Sequence, residues 1–157
     1  MENFPQVASA LQQFQGTAAG LSAAIQGETQ SQVGQLRVQD TVAKVKQSLE
    51  YLNNSKSSIE EYPDEYEDNA KKNASGPISG QISSSLAAFA NTIESAQPFP
   101  DSVVSELKSV LEEFEKAQSS WEQLAKDNDA TANNHYPGIL HILPKRLDGA
   151  YEKLGGR

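Results

Sequence analysis

The residues whose types and spacing offer the most chemistry are five polar side chains at alternate positions before the C-terminal segment. They are Asp127, Asp129, Thr131, Asn133 and His135. A similar alternation of oxygen donors opens a calcium-binding loop that follows a helix. Ala132 stands where such a loop needs glycine, and Gly138 stands where it needs a bidentate glutamate. The run therefore favours an ordinary polar loop over a calcium site, and weak cation binding stays open.

Zinc is a second chemistry to consider, and here it would depend on histidine because the chain has no cysteine. His135 and His141 are the two histidines, and a Pro-Gly turn separates them at a distance of six positions. This is not a recognised ligand spacing. His141 also lies within an apolar stretch, which favours a histidine packed in the core. The sequence therefore predicts no metal site.

Nucleophilic catalysis would need a serine beside a base that activates its hydroxyl. The serine run Ser83, Ser84 and Ser85 has no nearby histidine and no glycine elbow. The glycines likewise form none of the fingerprints that cradle phosphate groups. We therefore expect no catalytic residue, no cofactor and no enzymatic activity.

A dense acidic stretch lies near the middle of the chain. Its carboxylates are Glu60, Glu61, Asp64, Glu65, Glu67 and Asp68. No base accompanies them over residues 60–68 and Pro63 interrupts the run, so we expect a solvated hinge loop over about 60–77. Because crowded carboxylates raise the local concentration of cations, this loop is also a candidate site for a basic partner.

Charge and hydropathy limit the partners and the compartment. Thirteen Lys and Arg against twenty-one Asp and Glu give a net charge of −8, which disfavours nucleic acid and anionic lipid headgroups. No apolar run reaches the ~18 residues of a membrane span, and residues 1–5 lack the features of a signal peptide. We expect a soluble protein, cytoplasmic if Met1 is the native start and extracellular if a signal peptide has been removed.

The elements that must position any site are helices, because apolar residues recur at alternating steps of four and three along three stretches. The first stripe is Val7, Leu11, Phe14, Ala18, Leu21 and Ile25. The second is Val38, Val42, Val45, Leu49, Leu52 and Ile59, with Lys56 interrupting it. The third is Val103, Leu107, Val110, Phe114, Ala117, Trp121 and Leu124. This spacing is typical of helices that pack along narrow seams.

Breakers and caps predict where the first three helices lie. The first helix should start near Pro5 with Asn3 as its cap, and a turn should follow between Gly27 and Gly34. The second should span roughly 35–60. The third should begin after the Gly76-Pro77 pair.

The last two helices are predicted in the same way. Asp101 or Ser102 should cap the fourth helix, and a polar loop over about 127–138 should follow it. The final helix should hold Pro144 in its first turn and end at the Gly155-Gly156 pair. The sequence thus predicts one domain over residues 1–157, an all-α, elongated up-and-down bundle of four or five helices with heptad-type seams.

Two hypotheses for function follow from this fold. The first is a non-catalytic bundle that binds a protein partner, or a second copy of itself, through its heptad faces. The alternative is a binder of lipid, of another apolar ligand or of a hydrophobic surface, or a small membrane-active effector that uses the apolar patch at 139–143. Large apolar side chains would then line either a ligand slot or a core, and a filled core is the more usual role. These side chains are Phe14, Leu21, Phe89, Phe114, Trp121, Leu140 and Leu143.

Overall fold

The computed structural model describes residues 3–63, 69–131, 134, 136 and 138–157. The segments α1 to α6, in chain order, are Pro5–Gln26, Gln32–Asn54, Ser57–Glu60, Ala70–Ser95, Asp101–Asp127 and Ile139–Lys153. Five of them are long helices and α3 is a single turn, and the described residues contain no strand. The prediction of an all-α, up-and-down bundle of four or five helices is therefore confirmed.

Polar contacts between helices show that α1 and α2 form an antiparallel hairpin. The Thr17 and Ser48 hydroxyls are 2.7 Å apart. Gln6, near the start of α1, accepts a hydrogen bond from Ser58 at 3.5 Å. Ser58 lies just beyond the end of α2, so the start of α1 meets the end of α2. The second hairpin consists of α4 and α5, which are joined by residues 96–100.

The two hairpins lie side by side so that α2 and α5 run in the same direction. Ser102 donates to Gln35 at 3.1 Å, and about two turns further along α5 Lys46 donates to Ser109 at 2.5 Å. The helices α1 and α4 also contact each other, which closes the order α1, α2, α5, α4 into a four-helix ring. The last helix, α6, packs on α4 from outside this ring.

The three apolar stripes form much of the core, and buried residues of α4 and α6 add to it. Every residue of the second and third stripes is buried, and so is every residue of the first except Ala18, which is partly buried. Burying a large apolar side chain is worth about 1.5–3 kcal/mol, so these stripes account for much of the drive to pack. Lys56, which interrupts the second stripe, lies between α2 and α3 and donates to Ser120 on α5.

The predicted hinge over 60–77 is too long, because α4 begins at Ala70 rather than after Pro77. A proline inside a helix removes one backbone hydrogen bond and costs about 3 kcal/mol. Here Ala70, Ala74 and Ser75 are buried against the bundle, and this packing offsets the cost. The acidic residues Asp64, Glu65, Glu67 and Asp68 lie outside the described residues.

The final helix also begins earlier than predicted. It starts at Ile139, after Gly138 with a φ of 91°, and Pro144 lies inside it rather than in its first turn. The buried face of α6 consists of Leu143, Leu147, Ala150 and Tyr151. His141 lies off this face and is exposed, so the prediction of a packed core histidine is wrong.

Most of the predicted helix ends need smaller corrections. Phe4, not Asn3, precedes α1, and its buried ring packs edge-on to Tyr62 at 5.1 Å between centroids. The predicted second helix over 35–60 is two segments, α2 and α3, and Pro100 rather than Asp101 precedes α5. The glycine stop is confirmed, since Gly156 has a φ of 96° and donates its N–H to the Tyr151 carbonyl at 2.7 Å. None of the described helices is long and apolar enough to cross a membrane.

Candidate functional site

Three of the predicted large apolar residues meet in the middle of the four-helix ring. The Phe14 and Phe114 rings pack edge to face with centroids 5.1 Å apart, and Phe89 stacks on Phe114 at 6.2 Å. All three side chains are at most 3% exposed. Aromatic pairs in these geometries are worth about 0.5–1.5 kcal/mol beyond the area they bury. The contacts are those of a packed core, which favours packing over a ligand slot at this level of the bundle.

The other predicted apolar residues do not join this aromatic group in one place. Leu21, Trp121 and Leu143 are buried in α1, α5 and α6, whereas Leu140 is partly exposed near the start of α6. The Trp121 indole N–H is buried without a hydrogen-bond partner among the described residues. An unpaired N–H in the interior has a desolvation cost of about 1–3 kcal/mol.

The polar candidates are only partly described. Glu60 and Glu61 are exposed at the end of α3, and Asp64, Glu65, Glu67 and Asp68 lie outside the described residues. Asp127 accepts from Gln123 at 2.9 Å, and Asp129 adopts a left-handed φ of 58°. Asn133 and His135 are also outside the described residues. Over the part of the chain that is described, no three acidic or histidine side chains cluster as a metal site would require.

A buried row of serines on α4 was not predicted as a feature. Ser75, Ser79 and Ser83 follow one another at intervals of one turn and are 0% exposed. Ser83 accepts from the Gln118 side chain of α5 at 3.1 Å, while the Ser75 and Ser79 hydroxyls have no partner among the described residues. Their spacing in the sequence was the available signal, since a four-residue period of serines places them on one helix face. The hydrogen bond between Ser83 and Gln118 makes the contact between α4 and α5 partly polar.

A second polar cluster ties the C-terminus to α5. Tyr151 donates its hydroxyl to Glu115 at 2.5 Å, and Arg157 donates to the same carboxylate at 3.3 Å. The Arg157 guanidinium also lies 4.2 Å from the Tyr151 ring centroid and 3.6 Å from Asp148. The pKa of Tyr151 lies above its ordinary value because burial disfavours the phenolate, and because Glu115 accepts the proton and repels the negative charge.

This cluster predicts a loss of stability at high pH. A pKa that is higher in the folded state means that the contribution of Tyr151 is complete below the unfolded pKa of about 10 and is lost as the pH rises through the folded pKa. We expect the melting temperature to fall more steeply between about pH 9 and about pH 11 in the wild type than in Tyr151→Phe. Tyr51→Phe is the matched control, because the Tyr51 hydroxyl has no hydrogen-bond partner in the described chain. Equal slopes in the wild type and Tyr151→Phe would contradict the prediction.

A shallow groove of about 540 Å³ separates the first half of α1 from the second half of α2 on the outside of the bundle. We call it the α1–α2 groove. Its lining residues are Ser9, Gln13, Gln47, Glu50, Tyr51 and Asn54. None of these six side chains makes a hydrogen bond or an ion pair with any described residue. The groove therefore presents uncommitted polar groups and one exposed aromatic ring.

The register of the first hairpin creates this groove. The Thr17–Ser48 contact fixes α1 against α2, so that Ser9 and Gln13 lie opposite the C-terminal turns of α2. The α2 residues of the groove recur at i, i+3, i+4 and i+7, the spacing of one helix face. The sequence held this signal, but Tyr51 and its neighbours fall outside the apolar stripe and were not singled out.

The outer surface of α1 differs from that of α5 because it carries no charge. No acidic or basic residue occurs between Pro5 and Gln26, whereas α5 has seven acidic residues and three lysines. The residues exposed on the outermost side of α1 are Gln12, Gly16, Ala19 and Ala23, and we call this surface the α1 face. A Cβ atom added at Gly16 would meet no atom within 4 Å. The α1 face is thus open and electrically neutral.

Comparison with protein-family models, with curated proteins and with solved structures finds no match to this chain.

Proposed function

We propose that this chain is a non-catalytic binding protein that associates with a second copy of itself through the α1 face. The absence of charge on that face is the observation that supports the proposal. The apolar stripes are covered by the chain's own helices, so a partner has to bind the outer surface instead. Two molecules of net charge −8 repel each other at most orientations, since like charges held close together cost several kcal/mol.

The geometry of α1 suits such a contact. The helix has 22 residues and is therefore about 33 Å long. Two α1 helices related by a twofold axis would place the same face of each copy in contact, as isologous dimers do. The short side chains of Gly16, Ala19 and Ala23 let two helix axes come close together. A stable contact needs on the order of 1,200 Å² of total buried area, so residues of α2 and α4 that flank α1 would contribute.

Sedimentation equilibrium of the wild type and Ala19→Glu tests this function. The wild type is expected to show a concentration-dependent dimer. Ala19→Glu should weaken the dimer at least tenfold, because the twofold axis brings two carboxylates together in an interface that excludes water. Ser105→Glu is the control, since Ser105 is exposed on α5, which lies across the ring from α1, and the substitution adds the same charge.

The result that overturns the proposal is a wild type that stays monomeric up to millimolar concentration. Equal weakening in Ala19→Glu and Ser105→Glu would also overturn the α1 face as the contact, since it would show a general effect of net charge. That general effect is distinguished by repeating the series at high salt, where repulsion between exposed charges is screened.

A further inference from the structure

We infer that the α1–α2 groove is a binding site for a neutral saccharide. Residues of α1 and α2 form the groove, and the contact between Thr17 and Ser48 fixes the register of these two helices. Two of its lining side chains come from α1 and four from α2, and they border an open space of about 540 Å³.

The polar groups of the groove match the hydroxyl groups of a sugar. Gln13, Gln47 and Asn54 each offer an amide with two donors and a carbonyl acceptor, and Ser9 offers a hydroxyl that both donates and accepts. Neighbouring hydroxyls on a sugar ring donate and accept in the same way. Because none of these side chains is engaged within the described chain, binding would not have to break an intramolecular hydrogen bond.

The charge of the groove argues against an anionic ligand. Glu50 is the only ionisable group besides the Tyr51 phenol among the lining residues, and no lysine, arginine or histidine lies with them. Recognition of phosphate or carboxylate depends on cationic donors, above all on arginine. The Glu50 carboxylate would repel such a ligand, while it can accept hydrogen bonds from two sugar hydroxyls. A neutral, hydroxyl-rich ligand therefore fits the electrostatics.

Tyr51 supplies the apolar part of the site. Its side chain is 43% exposed, although Leu49 and Leu52 on either side of it are buried. The face of an aromatic ring is electron-rich. The C–H bonds on one face of a sugar ring carry a small positive charge and stack against such a ring, which buries apolar area on both partners. An apolar ligand would find only this one ring among polar side chains.

The size of the groove limits the ligand to a short oligosaccharide. Gln47 and Asn54 are two helical turns apart, which gives the groove a length of about 10 Å. The groove is open to solvent and its polar side chains must be immobilised when a ligand binds, so we expect a dissociation constant on the order of 0.1–1 mM. The site uses residues that are distinct from the α1 face, and sugar binding does not require the dimer.

An NMR titration of the full-length chain tests the inference. The probes are chitotetraose, cellotetraose, mannotetraose and maltotetraose, added separately to the 15N-labelled protein. We expect at least one of them to cause saturable shifts in the amide signals of residues 9–13 and 47–54. Tyr51→Ala should weaken that binding at least tenfold, while Tyr51→Phe, which keeps the ring, should retain it. Leu36→Ala is the matched control, because Leu36 is an exposed apolar residue of α2 outside the groove, 55% exposed.

Two results would overturn the inference. One is that none of the four tetrasaccharides causes a saturable shift in the groove up to ten millimolar. The other is that sodium phosphate or decanoate shifts the same signals as strongly as any sugar, which would assign the groove to anions or to apolar chains. The tetrasaccharide titration is made on Ala19→Glu as well. Binding there would support the saccharide site whether or not the dimer exists.

Discussion

Replacing Phe114 with alanine is expected to lower the free energy of unfolding by about 3–5 kcal/mol. The ring is 1% exposed and contacts Phe14 from α1 and Phe89 from α4, so its removal leaves a cavity that joins both hairpins. Urea denaturation followed by circular dichroism at 222 nm measures the loss. The midpoint should move to lower urea, and the slope should stay unchanged if the fold is kept.

Two further measurements define what the ring does. In a double-mutant cycle with Phe14→Ala, we expect a coupling of about 0.5–1.5 kcal/mol from the edge-to-face contact.

The apolar-ligand alternative predicts instead that Phe114→Ala costs less than about 1.5 kcal/mol, because the ring would border an unfilled slot. It also predicts that oleate changes Trp121 emission saturably and that Phe114→Asp abolishes this response. We expect no saturable change in Trp121 emission, because the three phenylalanine rings already contact one another and Trp121 is itself 0% exposed in the core.

Gly34→Ala is expected to destabilise the protein by about 2–3 kcal/mol, although alanine is the better helix former. Gly34 is buried in the first turn of α2, where a Cβ atom would overlap the Glu28 carbonyl oxygen and lie 2.8 Å from its carbon. That backbone cannot easily yield, because the Glu28 side chain accepts from the N–H groups of Gln30 and Ser31 and holds the turn. Thermal unfolding measures the effect as a lower melting temperature.

Gly20→Ala is the matched control for this prediction. Gly20 lies inside α1 but outside the α1 face, and an added methyl group there would have open space. There the higher helix propensity of alanine should act alone and stabilise the protein by about 0.5–1 kcal/mol. Opposite signs for the two substitutions are the expected result. A stabilising Gly34→Ala would show that the turn between α1 and α2 can move to accommodate a side chain.

The parts of the fold that could be predicted are those with a strong apolar periodicity in the sequence. In α5, apolar residues recur with polar and charged residues between them, and all seven predicted stripe positions from Val103 to Leu124 are buried. The start of α4 could not be predicted, because Gly76 and Pro77 indicate a break, while the packing that outweighs them involves residues distant in sequence. His141 was misplaced for a related reason. An apolar stretch does not reveal which of its members faces the core until the helix phase is known.

The candidate sites were less accessible to prediction. The α1–α2 groove exists because residues 9–13 lie opposite residues 47–54, and this pairing depends on the length of the turn and the register of the hairpin. No periodicity within either helix contains that information. The neutrality of α1, by contrast, is present in the composition of residues 5–26 and needed only the structure to show which of these residues are exposed.

The composition of α4 has a consequence for the order in which the protein folds. Its first half contains Gly76, Pro77 and Gly80 together with two serines, all weak or disruptive helix formers. The segment is nevertheless a continuous helix that contacts α1, α3, α5 and α6. Its helical state thus depends on neighbours that are already in place. In α5, Glu and Lys side chains and a strong apolar stripe favour the helix locally. Helix formation in the second hairpin should therefore proceed from α5 to α4, and α4 should gain its structure in the same cooperative step that closes the core.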